Sequence, residues 1–154
     1  MGFVRSALVV LALSAFSLAT VARADSDGVP FIAGSWKGKI KATYWDQTNQ
    51  ASNKPKLKYR DKVDVVIDQG VGELEMDIEF KDGMPTSTDT VLTSATLDGF
   101  VGNYHMSVNR SLVAPLLVGS GTINKKATRI KLKGVAASGD VTMEFTISLK
   151  KTGN

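Results

Sequence analysis

The chain has 154 residues, with 19 Lys and Arg against 15 Asp and Glu, one His, no Cys and a net charge of +4. This composition excludes a disulfide-stapled fold and a thiolate metal site, and it lacks the strongly basic balance expected of a nucleic-acid-binding domain.

Residues 1–24, MGFVRSALVVLALSAFSLATVARA, have the layout of a secretory signal. Arg5 supplies a positive start, residues 6–21 carry no charge, and Ala22-Arg23-Ala24 is a small-x-small cleavage site. The uncharged run is at the short end for a bilayer span, which needs about 20 residues. The expectation is cleavage after Ala24 and a mature domain over 25–154, periplasmic or secreted, of a bacterial type, and not an integral membrane protein once processed. Arg5 and Arg23 leave with the leader, so 17 bases face 15 acids and the mature net charge is +2. That length suits one domain with a single core.

From Gly34 onward, apolar and polar residues alternate with period two, the sign of half-buried strands. In GSWKGKIKATYW, Trp36, Gly38, Ile40, Ala42 and Tyr44 share one face, and Lys37, Lys39, Lys41 and Thr43 share the other. DQTNQASNKP reads as a loop. KLKYRDKVDVVID puts Leu57, Tyr59, Val63, Val65 and Ile67 in phase, and GELEMDIEF sets Leu74, Met76, Ile78 and Phe80 against four acids. KDGMPTS reads as the next turn, followed by a threonine-rich strand over TDTVLTSATL. Asp98-Gly99 is a two-residue hairpin signal. It places Phe100, Gly102, Tyr104, Met106 and Val108 on one inward face. An apolar loop, SLVAPLL, precedes a strand near residues 117–123, whose Gly119 and Gly121 weaken it. Ile130 and Leu132 then point inward, with Arg129, Lys131 and Lys133 outward. The last run buries Val141, Met143, Phe145, Ile147 and Leu149.

About eight strands joined mostly by short turns, with no helical period, predict an all-β fold. The expected form is a single antiparallel up-and-down β-barrel, because closure removes exposed edges. A two-sheet β-sandwich is the alternative. A membrane-spanning barrel would also alternate, with its apolar face to lipid, but aromatic residues for its girdles are few.

Gly34-x-Trp36 at the head of the first of eight strands resembles the calycin group of small barrels, such as lipocalins and avidins. The resemblance implies a Trp packed across the closed end, an Arg late in the barrel stacked on it, and a small ligand held inside. Arg129 lies late in the chain, although its phase points outward.

The expected ligand-binding residues are Trp36, Tyr44, Tyr59, Asp61, Tyr104 and Met106. The aromatic members would line an apolar cavity, with hydroxyl groups to orient a ligand. Asp61 falls on the apolar face if its strand keeps phase, where it needs partners or a proton. A bulge near Arg60-Asp61-Lys62 would turn it to solvent instead. His105 alternates outward and has no partner Cys or His, so no metal and no cofactor are expected. No nucleophile motif such as Gly-x-Ser-x-Gly occurs, which points away from an enzyme.

Charges segregate by strand into one acidic stripe and two basic ones. Such a surface can dock a partner or an anionic lipid, or it can simply be solvated. The leading expectation is a non-enzymatic barrel binding a small apolar or amphipathic molecule inside; the alternative is a filled-core barrel acting through its exterior as a protein-interaction or inhibitor module.

Overall fold

The computed structural model describes residues 28–45, 57–86, 90–139 and 141–153. The expected leader and the loop at 46–55 lie outside the described residues. Eight strands follow in order: β1 (Gly34–Trp45), β2 (Leu57–Gln69), β3 (Glu73–Pro85), β4 (Val91–Gly102), β5 (His105–Arg110), β6 (Leu116–Ile123), β7 (Arg129–Ser138) and β8 (Val141–Gly153). Each pairs antiparallel with the next, and β8 returns to β1. The ring is closed, so the fold is an up-and-down barrel and not a two-sheet sandwich.

Alternation decides the wall. Ile40, Val63, Val65, Ile67, Met76, Ile78, Leu97, Met106, Val108, Leu132, Phe145 and Ile147 all point inward and are buried. Apart from Asp61 and the strand-end Arg110 and Lys151, the charged side chains of the described strands point outward, the reverse of a membrane-spanning barrel. No helix among the described residues is long and apolar enough to cross a membrane.

Gly38 is required by the approach of the neighbouring strand. A Cβ there would stand 1.9 Å from the Ser148 carbonyl oxygen and 2.8 Å from the Leu149 side chain, so the glycine allows β8 to close on β1. Gly119 does not end β6. It pairs with Gly134, and the Phe145 ring fills the space that side chains at these two positions would occupy.

Two sequence expectations are corrected here. Asp98-Gly99 is not a turn: both lie within β4, and a Cβ on Gly99 would sit 2.0 Å from the Ser107 carbonyl oxygen. The hairpin falls five residues later. Gly102 pairs with His105, and the two central residues, Asn103 and Tyr104, have φ of 45° and 61°. Positive φ at both central positions matches the twist of the strands. The shift inverts the phase before the turn, so Val101 is buried and Phe100 is 60% exposed. Second, KDGMPTS does not simply turn. β3 continues to Pro85 through an irregularity in which residues 80–83 face Thr93 alone on β4.

Candidate functional site

At the Trp36 end, residues 29–33 fold across the barrel mouth. Ile32 is fully buried and Trp36 is 1% exposed. The Trp36 indole N–H donates to the Ile32 carbonyl at 2.9 Å. Gln69, at the end of β2, accepts from the Ile32 N–H at 2.7 Å and donates to the Pro30 carbonyl at 3.0 Å. Lys151 Nζ lies 5.9 Å from the Trp36 ring centroid and 5.4 Å from that of Phe31. A cation from the last strand thus covers the Trp, and it is Lys151. Arg129 is exposed on the outer wall.

At the opposite end, Asp61 keeps the inward phase of β2 and is 7% exposed. The bulge lies on the neighbouring strand, and Asp61 fastens it. Its Oδ2 accepts from Tyr59 Oη at 2.6 Å and from the Asp82 N–H at 2.9 Å, and its Oδ1 accepts from the Lys62 N–H at 2.7 Å. Asp82 sits in the irregular stretch of β3. Burial pushes the Asp61 carboxyl up, but the three hydrogen bonds outweigh it and hold the group below its usual range. The Tyr59 hydroxyl is pushed up by burial and by donating to that carboxylate. Asp61 is therefore an ionised anchor whose partners all come from the barrel itself.

Tyr44 stands two residues beyond Ala42, which pairs with Tyr59. Its ring is buried, its hydroxyl has no partner among the described residues, and burial pushes its pKa up to about 12. Arg110, at the end of β5, likewise has a buried Nη1 without a partner among the described residues. Two interior voids adjoin these groups, one beside Tyr44 and one beside Arg110, and both are lined by Met84, Pro115 and Met143. Each has a volume of about 10 Å³. That is room for about one water molecule.

The six sequence-chosen residues therefore do not form one site. Tyr44, Tyr59 and Asp61 gather at one end. Trp36 and Met106 are buried toward the other, where Tyr104 occupies the hairpin turn, partly exposed. Three polar side chains were missed: Gln69, Arg110 and Lys151. Each continues the inward phase of its strand by one more step, and that was their available signal.

The exterior is polarised. Basic side chains lie outward on β7, on β1 and on the first half of β2, with Lys150 on β8 between them, and the register sets like charges directly opposite one another. Arg129 pairs with Lys150, Lys150 with Lys37, Lys39 with Lys62, and Lys41 with Arg60. Among the described residues only Lys37 of this wall has an ion-pair partner, Asp64 at 3.6 Å. β3, next to β2, carries Glu73, Glu75, Asp77 and Glu79 outward; Asp64 and Asp68 of β2 face Glu79 and Glu75, and Asp98 on β4 also faces Glu75. An open concavity of about 770 Å³ lies on the exterior, against Lys37, Asp64, Asp77, Glu79, Lys81 and Thr96. No group of three or more His, Asp or Glu among the described residues is placed to hold a metal ion.

No protein-family model matches this chain, and no curated protein matches it.

Proposed function

We propose that the protein is an exported, non-enzymatic barrel that works through its outer wall, as an interaction or inhibitor module. The observation that carries this is the packing among the described residues: the voids beside Tyr44 and Arg110 are each about 10 Å³, where a small-molecule pocket spans about 300–1,000 Å³. The layout of residues 1–24 supports export, and the lack of a nucleophile or metal-ligand motif supports a non-catalytic role. Native mass spectrometry of the protein purified from its own host tests it. The expected result is the bare chain mass with no stoichiometric small molecule. A retained small molecule at one copy per chain overturns it.

That second outcome belongs to a competing reading, a small apolar or amphipathic ligand held at the Tyr44 end. The unpaired Tyr44 hydroxyl and Arg110 guanidinium favour it. It requires the flexible Met84 and Met143 side chains to move aside.

A further inference from the structure

We propose that the β7–β8–β1–β2 wall docks on an anionic lipid surface, with the β5–β6 loop as its apolar foot. This rests on the outer-wall reading above and names the partner of that wall.

Two independent observations meet here. The first is the set of like-charged pairs. Directly opposed like charges destabilise an antiparallel ladder. This wall holds four such pairs, and among the described residues only Asp64 forms an ion pair with any of its lysines. Folding gains nothing from this arrangement, whereas a polyanionic surface would neutralise it. The second is an adjoining exposed apolar patch. Leu112 is 95% exposed at the loop tip, with Val113 beside it. Leu116, Val118 and Val135 continue the patch onto the wall, where Val118 pairs directly with Val135.

The two features share one strand. Outward positions along β7 run Arg129, Lys131, Lys133, Val135, Ala137, so the strand changes from basic to apolar toward the loop end. Lys133 stands two residues behind Val135, about 7 Å at the rise of a strand. An apolar foot buried about 5–10 Å into the headgroup boundary puts that ammonium at headgroup level. The acidic strand β3 lies four strands from β7 in either direction around the ring, so a contact centred on β7 and β8 keeps clear of it; β3 borders only the β2 edge of the wall, where Asp64 and Asp68 face Glu79 and Glu75. Charge alone would suit any polyanion. The apolar foot, sitting beyond the charges on the same strand, favours a bilayer. Glu144 of β8, paired with Val135, is the acid nearest the foot.

Co-sedimentation with vesicles tests this, using phosphatidylcholine alone and phosphatidylcholine mixed with phosphatidylglycerol. The protein is expected to sediment with the mixed vesicles only, and less as salt rises. Lys131→Ala with Lys133→Ala is expected to weaken binding about 25-fold, about fivefold per charge. Leu112→Ser with Val113→Ser also weakens it, and Glu144→Gln strengthens it. These positions are exposed, so circular dichroism and Tm should not change. Failure to bind mixed vesicles, or equal binding to neutral ones, overturns the proposal. So does equal binding to soluble dextran sulfate that ignores Leu112 and Val113; the wall then reads charge alone, and the outer-wall function still stands.

Discussion

The two ends of the barrel solve the same problem differently. At the Trp36 end the chain itself supplies the plug: residues 29–33 cross the mouth, and the Trp36 indole, the Ile32 amide and the Gln69 amide all meet partners. At the Tyr44 end the described residues that fill the mouth are side chains of the strands themselves. Asp61 is saturated there, yet Tyr44 Oη and Arg110 Nη1 are buried without partners among the described residues. A buried polar group without a partner costs free energy. The first end is thus built for stability, and the second tolerates a cost that the first avoids.

Substitutions should sharpen that contrast. Trp36→Ala removes the largest buried side chain together with its hydrogen bond, and is expected to cost about 4 kcal/mol in urea unfolding. A loss below about 1 kcal/mol would show an exposed ring and break the account of the plug. Asp61→Ala strands the Tyr59 hydroxyl and the Asp82 and Lys62 amides, and is expected to cost about 3 kcal/mol. Asp61 also sets an acid dependence. Its folded pKa lies below the unfolded value of 3.8, so its stabilisation is complete above that pH and is lost as pH falls through the folded pKa. Thermal melts of Asp61→Asn should therefore lose part of the decline that the parent shows below about pH 4. Gln69→Ala gives up two hydrogen bonds at the plug and should cost about 1–2 kcal/mol. Tyr44→Phe is the smallest and opposite in sign. Deleting an unpaired buried hydroxyl should leave stability unchanged or raise it by up to about 1 kcal/mol. A clear loss there would reveal a partner for that hydroxyl and make the two ends alike.

Most of the wall was legible because burial and period two coincide. Leu74, Met76, Ile78 and Phe80 alternate with acids and lie inside, as Ile130 and Leu132 do among bases. The hairpin before β5 was misread because Asp98-Gly99 has turn chemistry, while Gly99 is required by the close approach of β5. The true turn uses Asn103 and Tyr104, and a tyrosine at positive φ is a poor local signal. The bulge was expected on the wrong strand. Asp61 breaks the apolar pattern of β2, but the irregularity it secures belongs to β3, which no reading of β2 alone could reveal. The caps were hidden for a related reason. Gln69, Arg110 and Lys151 stand at the ends of inward phases, where strand alternation and ordinary surface polarity look the same. The like-charge pairs of the outer wall depend on register, which pairs Lys39 with Lys62 only once β1 and β2 are aligned.

The ladder between β1 and β8 joins Ser35 to Gly153 and Tyr44 to Met143. Every contact in it spans most of the chain, so its loop-closure cost falls due before any of its hydrogen bonds form. The barrel cannot shut until the final strand is present, which makes closure a late and slow event. A chain still emerging, or still being threaded through a translocation pore, stays open. For a protein proposed to be exported, the ring itself keeps the time.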